Sequence, residues 1–281
     1  MSRDFLSLAD ALNALLEAEA SRRPTAHTTI PSTSSSELPE SDRPTGTNKL
    51  VIAIDFGTTY TGVAFAHTAN TLDANSSNES VQQAVEKILS VRDWPSPDHA
   101  YPEKYQTILA YNQDGTMCAW GGAVNSTHER RVKFFKLALE EGVMDKYTSD
   151  KAADSLVKFN YPQDPALANK TPVDFSAEYL KAVIDHIHKV SLPKAFSREV
   201  LANQDKRWII TVPAIWSDKA KDATRKAAAQ AGIDDKELDI VTEPEAAALY
   251  CATLCQDRNL EKGDVFLICD AGGGTVVIIL E

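Results

Sequence analysis

Short apolar runs rich in β-branched residues recur along this chain, and they limit its fold more than any other feature. The run LVIAIDF at 50–56 is apolar until Asp55, and RWIITVP at 207–213 and VFLICD at 265–270 have the same character. Runs without alternating polar residues are typical of strands that are buried on both faces. Such strands need other layers packed against the sheet, so the sequence predicts a layered α/β protein.

Helical patterns alternate with these strands. Ser217 is placed to cap a helix in SDKAKDATRKAAAQAG, which ends at Gly232, and Thr242 with Glu245 forms a capping box before EPEAAALYCATL. Another helix is expected to follow Ser176, with Ser176 itself as the cap. Further strands are predicted in KILSVRDW, QTILAYN and MCAWGGAV. The alternation favours a mixed sheet flanked by helices.

Composition divides the chain into three parts. Residues 1–20 place apolar side chains at helical spacing and predict a short amphipathic helix. Residues 21–48 are dominated by Ser, Thr and Pro, which predicts a disordered tether. The folded part is expected to cover 49–281.

Charge and hydropathy exclude several classes of partner. The net charge of −11 argues against nucleic acid or an anionic membrane, because neutralising many phosphates needs clustered Lys and Arg. No apolar stretch has the length of a membrane-spanning helix, and the N-terminal residues carry too many acids for a secretory or mitochondrial leader. We therefore expect a cytoplasmic protein, which can still hold a single phosphorylated ligand through backbone amides.

Three carboxylates follow predicted strands at equivalent places. Asp55 ends VIAID, Glu243 follows LDIVT, and Asp270 ends VFLIC. If these strands are neighbours in one sheet, the three side chains emerge along one edge, where α/β folds place their ligand crevice. Crowded acids need a cation, and oxygen ligands beside phosphate suit hydrated Mg²⁺. Each acid alone fits a turn or cap role equally well, but their recurrence favours the functional interpretation.

Glycine-rich turns directly follow two of these acids, in DFGTTY at 55–60 and DAGGGT at 270–275. Glycine lets backbone N–H groups approach an anion, and threonine hydroxyls add donors. Neither turn is a P-loop or a dinucleotide fingerprint, because no Lys follows the last glycine and a strand resumes afterwards. One such turn is usually only a tight hairpin, whereas two with their own carboxylates predict a clamp for β- and γ-phosphates.

The sequence at this point resembles the seventy-kilodalton heat-shock chaperones of the actin-like ATPase superfamily. Four stretches occur in the family's order: IDFGTTYTGVAFA, WIITVPAIWSDKAKDATRKAAAQAG, IVTEPEAAAL and DAGGGT. The sequence around RDWP and AWGGAV is similar to that of the family's divergent cytosolic branch. The resemblance implies an actin-like ATPase (ribonuclease H-like) fold, here the first lobe only, with ATP or ADP and Mg²⁺ as ligands. It also implies co-chaperones or unfolded polypeptides as partners of a full-length form.

The resemblance further assigns roles to particular residues. The first phosphate loop would be Gly57, Thr58, Thr59 and Tyr60, and the second Gly272, Gly273, Gly274 and Thr275. Asp55, Glu243 and Asp270 would hold the waters of Mg²⁺. The catalytic set implied is Lys136, Asp270, Glu243 and Thr275.

Lys136, in VKFFKLAL, stands where the family places its catalytic lysine, which would stabilise the γ-phosphate and the attacking water. The alternative is a solvated helix charge, since a second lysine, Lys133, lies close by in the sequence. Pro213 and Lys221 match the residues through which the family is thought to pass nucleotide state to its substrate domain.

Two departures from the family pattern bear on activity. Val277 stands where the family usually has an acid. The chain also ends after the second loop, so we expect a truncated protein that lacks the peptide-binding domain and whose last strand lacks sheet partners.

The leading interpretation is a chaperone-type ATPase domain that holds Mg-ATP between the two loops and hydrolyses it to ADP. A non-hydrolysing nucleotide-binding pseudoenzyme or regulatory fragment is the alternative, which Val277 and the truncation favour. A carbohydrate kinase of the same superfamily is a second alternative, against which VPAIW and TEPEAAAL argue.

Overall fold

The computed structural model describes residues 49–68, 88–96, 102–142, 164–254, 267–271 and 276–280. For 252–254 and the two C-terminal ranges it describes the backbone alone. The predicted amphipathic helix at 1–20, the predicted tether at 21–48 and the predicted second phosphate loop at 272–275 lie outside the described residues.

Strands and helices alternate through the described part of the chain. The strands are β1 (Lys49–Phe56), β2 (Tyr60–His67), β3 (Leu89–Ser90), β4 (Lys104–Gln106), β5 (Ile108–Tyr111), β6 (Met117–Trp120), β7 (Arg130–Lys133), β8 (Asp205–Val212), β9 (Leu238–Thr242), β10 (Leu267–Ala271) and β11 (Val276–Leu280). The α-helices are α1 (Pro172–His186), α2 (Leu192–Ala195), α3 (Arg198–Asn203), α4 (Asp218–Gln230) and α5 (Glu243–Leu254). A π-helical turn, Ile187–Ser191, joins α1 to α2.

A six-stranded mixed sheet lies at the centre, in the order β3-β2-β1-β8-β9 with β4 also paired to β2. β1 is antiparallel to β2 and parallel to β8, and β8 is parallel to β9. The carboxyl ends of β1, β8 and β9 therefore meet at one edge of the sheet. β6-β5-β7 form a separate antiparallel sheet, and β10 pairs with β11.

Helices cover both faces of the six-stranded sheet. On one face, Ile54 belongs to a large core that includes Leu180 of α1 and Ala227 of α4. On the other face, Ile209 packs with Ala246 of α5. The prediction of an α/β protein with a mixed sheet flanked by helices is confirmed. This is the architecture of an actin-like ATPase lobe.

The start of α1 differs from the prediction. The helix begins at Pro172, and Thr171 is its cap: the Asp174 N–H donates to the Thr171 hydroxyl at 3.2 Å, and the Asp174 carboxylate accepts from the Thr171 N–H at 2.7 Å. This capping box, with proline in the first turn, begins the helix before the apolar run. Ser176 is buried inside the helix, and its hydroxyl has no hydrogen-bond partner among the described residues.

The starts of α4 and α5 are as predicted. Ser217 caps α4 by accepting from the Ala220 N–H at 3.3 Å, and the helix terminates before Gly232, whose φ is 103°. Thr242 caps α5 by accepting from the Glu245 N–H at 3.3 Å. These helices direct the chain away from the carboxyl edge of the sheet.

Two histidines lie at the end of α1. His186 stacks on Trp94 with ring centres 5.3 Å apart, and its Nε2 lies 3.5 Å from the Asp93 carboxylate. Burial lowers the pKa of His186 more than Asp93 raises it. Burial, together with the charge of Lys206, also lowers the pKa of His188 in the π-helical turn. Both side chains therefore favour the neutral form in the folded protein.

The expectation that the last strand lacks a sheet partner is wrong. β11 pairs with β10 in an antiparallel register that places Asp270 opposite Val277. The pairing satisfies one hydrogen-bonding edge of β11.

Candidate functional site

Two of the three predicted carboxylates lie at the carboxyl edge of the six-stranded sheet. Asp55 is near the end of β1 and Glu243 directly follows β9, and both strands run parallel to β8. Both residues are buried, with 8% and 9% of their surface exposed. Asp270 is on β10, which pairs with β11, and among the described strands no pairing joins β10 to this sheet, so the three strands are not described as neighbours in one sheet.

Lys136 reaches the same edge from a distant part of the chain. Its Nζ donates to Glu243 Oε1 at 2.7 Å, and its side chain is only 1% exposed. The ammonium also lies 5.8 Å from the ring centre of Phe56 and 5.3 Å from that of Trp216. The alternative of a solvated helix charge is therefore wrong for Lys136, whereas the nearby Lys133 is exposed at the end of β7.

A rare backbone conformation precedes Lys136. Phe134 has φ of 60°, which is uncommon for a residue with a side chain. After this turn the next two residues, Phe135 and Lys136, are both buried. Strained residues held in place by their surroundings concentrate at functional sites. The sequence carries no signal for this turn.

Among the described residues, sequence reasoning missed two that bind Asp55. Thr211 of β8 donates to Asp55 Oδ1 at 2.9 Å, and Lys104 of β4 donates to Oδ2 at 2.6 Å. Burial by itself would raise the pKa of the Asp55 carboxyl, but Lys104, Lys136 and the Thr211 hydroxyl together hold it below its ordinary value. Asp55 is therefore ionised at neutral pH.

The 57–60 loop is a tight turn fixed beside Asp55. A Cβ at position 57 would lie 2.1 Å from the Tyr60 carbonyl oxygen, so only glycine fits there. Thr107, between β4 and β5, anchors the loop from outside: its hydroxyl donates to the Gly57 carbonyl at 2.9 Å, and its N–H donates to the Thr59 carbonyl at 2.8 Å. Nothing in the local sequence marks Thr107 for this role.

The two residues expected to transmit nucleotide state occupy different positions. The Pro213 carbonyl accepts from the Trp216 N–H at 3.1 Å, in the turn that places the Trp216 ring near Lys136. Lys221, on α4, lines a groove of about 490 Å³ together with Arg225. Pro213 is thus one contact away from the buried lysine, whereas Lys221 faces the groove.

The donor set fits a hydrated magnesium ion. Across the part of the chain that the structure describes, no three His, Cys, Asp or Glu side chains are grouped to ligate a metal. Asp55 and Glu243 are oxygen donors, and Mg²⁺ keeps several of its waters, so these two carboxylates would hold the ion through water. Some predicted roles stay predictions, because the structure describes only the backbone of Asp270 and does not describe the second phosphate loop. These are the roles of Asp270, Gly272, Gly273, Gly274 and Thr275.

None of the helices described is long and apolar enough to cross a bilayer.

Comparison with known proteins relates this chain to one family. The sequence model of a family described as Hsp70 protein matches residues 156–281. The chain is 29% identical to human heat shock 70 kDa protein 12A over 223 residues, and 30% identical to the mouse protein over 224 residues. Each match covers 75% of this chain and 30% of the relative.

A shorter match joins the chain to a bacterial protein. It is 35% identical over 131 residues to a chaperone protein HscA homolog from Acinetobacter baumannii, which covers 42% of this chain and 19% of that protein. The chain thus spans about 30% of the length of the heat shock 70 kDa relatives. The family match includes β8, β9 and Glu243. The resemblance found in the motifs is confirmed: this chain belongs to the Hsp70 family of actin-like ATPase-type proteins.

Proposed function

We propose that this chain binds Mg-ATP at the carboxyl edge of the six-stranded sheet and hydrolyses it to ADP. The observation that carries the proposal is the buried Lys136–Glu243 pair, which lies at the same edge as Asp55. Buried charges are costly unless they are compensated, and clusters of them beside a fixed glycine turn are typical of functional sites. The family membership supports a nucleotide as the ligand.

Different residues of the site have separate roles in phosphoryl transfer to water. The hydroxyls of Thr58 and Thr59 supply donors for phosphate oxygens from a turn that Thr107 holds in place. The Lys136 ammonium neutralises charge on the γ-phosphate, and Glu243 orients this ammonium. Bound Mg²⁺ would supply further neutralisation of the phosphates. Positioning and charge neutralisation suffice for this reaction, with no covalent step.

Binding and hydrolysis are measured separately on the 281-residue chain. Isothermal titration with Mg-ATP tests binding, and a phosphate-release assay compares wild type with Lys136→Met and with Lys226→Met, an exposed lysine on α4. We expect Lys136→Met to reduce turnover by about 100-fold or more, as for loss of one preorganised donor, while Lys226→Met keeps wild-type turnover. Circular dichroism checks folding, and Asp55→Asn serves as a second variant of nearly unchanged shape.

The proposal fails if the wild type does not bind Mg-ATP. The part of it that concerns hydrolysis fails if folded Lys136→Met and Asp55→Asn both release phosphate at the wild-type rate.

The second candidate function is nucleotide binding without hydrolysis. It is favoured by Val277, which pairs with Asp270 across the β10–β11 hairpin at a position where the family usually has an acid. An apolar residue there supplies neither charge nor a hydrogen bond. Tight binding without turnover in the wild type, with phosphate release appearing in Val277→Asp, would establish this candidate in place of the first.

We extend the proposal to a chaperone role in the cytoplasm, with unfolded polypeptides or co-chaperones as partners. Its support is the family and the chaperone named among the relatives. Suppression of aggregation of a denatured protein, measured with and without ATP, tests this role.

A further inference from the structure

Lys104 reaches the candidate site across a neighbouring strand. Asp55 in β1 is paired with Gly62 in β2, and Gly62 is paired with Lys104 in β4. The three residues form one row across three strands, and the Lys104 ammonium spans that row to contact Asp55 Oδ2 at 2.6 Å. The two side chains are 14% and 12% exposed.

Gly62 leaves the space that this lysine uses. A glycine inside a strand weakens the strand and often marks a place where another group approaches closely. A Cβ at position 62 would lie 3.4 Å from Lys104 Cδ and 3.5 Å from its Nζ, which is van der Waals contact. The Lys104 side chain therefore passes directly over Gly62 on its way to Asp55.

Stability alone is a poor explanation of this ion pair. The cost of removing two charges from water offsets much of their attraction, so a buried pair is weak support for a stabilising role. Its place is informative instead, because Asp55 also faces the charge of Lys136, which pairs with Glu243. Among the residues of this edge that the structure describes, the charges of two carboxylates and two ammonium groups cancel.

We propose that Lys104 is a positioning residue of the nucleotide site. Its ammonium holds the Asp55 carboxylate in one orientation and cancels its charge, so that a polyphosphate can approach with a smaller requirement for Mg²⁺. This inference rests on the proposed function. Without Lys104 these four described groups would carry a net negative charge, which repels the phosphates.

The test is the affinity for ATP, measured by isothermal titration once with Mg²⁺ and once with EDTA. Lys104→Met should weaken Mg-ATP binding by about tenfold, as expected for one uncompensated charge near the ligand. It should weaken metal-free ATP binding further. The ratio of the dissociation constant for metal-free ATP to that for Mg-ATP should therefore increase. Lys104→Arg, which keeps the charge, should restore most of the affinity. Lys226→Met removes an exposed lysine on α4 and should leave both dissociation constants unchanged.

A double variant keeps the test decisive. Asp55→Asn removes a carboxylate that would also hold Mg²⁺, so the double variant, Lys104→Met with Asp55→Asn, is compared with Asp55→Asn alone. Once residue 55 is neutral there is no charge on it for Lys104 to cancel, so removing Lys104 should change the ratio less than it does in the wild type. If folded Lys104→Met has the wild-type ratio, or if removing Lys104 changes the ratio as much in the Asp55→Asn background as in the wild type, the inference is overturned and the proposed function stands. If the wild type binds ATP in neither condition, the proposed function fails, and this inference fails with it.

Discussion

The buried ion pair between Lys136 and Glu243 predicts a large and specific loss of stability when one partner is removed. Lys136→Met keeps an unbranched apolar chain against Phe56 and Trp216 but leaves the Glu243 carboxylate, whose side chain is 12% exposed, without its ammonium partner. Breaking a buried pair on one side costs about 3–5 kcal/mol, and the small residual exposure favours the lower end, about 3 kcal/mol. In a chain of this size that corresponds to a melting temperature lower by about 6–12 °C.

A double-mutant cycle isolates the interaction. Urea unfolding followed by circular dichroism gives the free energy of unfolding for wild type, Lys136→Met, Glu243→Gln and the double variant. Because the double variant contains no uncompensated charge, we expect it to be more stable than the sum of the single losses predicts, by about 2 kcal/mol.

A matched cycle uses an exposed pair. Lys226 and Asp222 lie 2.7 Å apart on α4, with side chains 66% and 57% exposed. Solvent screens this pair, so its coupling energy should be only about 0.3–0.5 kcal/mol. Equal coupling energies in the two cycles would refute the reasoning, because they would mean that burial does not strengthen the Lys136–Glu243 interaction.

Two further predictions concern α1 and its C-terminal histidines. Thr171→Ala should lower the free energy of unfolding by about 1 kcal/mol through loss of the cap, whereas Ser176→Ala should leave it unchanged or raise it, because that buried hydroxyl has no partner. In urea unfolding, a larger loss at Ser176 would contradict this assignment. The pKa values of His186 and His188 are lowered by folding, so the unfolded chain binds more protons as pH falls through the ordinary histidine value of 6.5. Stability should therefore decrease from about pH 7 toward pH 5, and the combined substitution of both histidines by Gln should flatten this slope. Asp55 does not mask the effect, because its lowered pKa keeps its contribution constant until the pH approaches 3.8. Unchanged urea midpoints across this range in the wild type would contradict the prediction.

Much of the sheet and of the helix caps could be predicted from the sequence, because these features depend on residues close together in the chain. Runs of apolar residues are typical of strands buried on both faces, and such runs made β1, β2 and β8 recognisable. The caps at Ser217 and Thr242 need only a partner three residues away. The start of α1 was misjudged because Ser176 and Thr171 offer competing local signals, and only Thr171 has an acid placed to complete a capping box.

The sequence by itself determined that carboxylates stand at strand ends beside glycine turns, since both features are local. Only the tertiary structure decided which groups face those carboxylates. Lys104 and Thr211 reach Asp55 through strand pairings that join residues 49 and 156 positions apart, and Lys136 reaches Glu243 after a turn at Phe134 with an uncommon φ. Side-chain periodicity specifies which face of a strand is buried, but it carries no information about which distant strand lies alongside, or in which register.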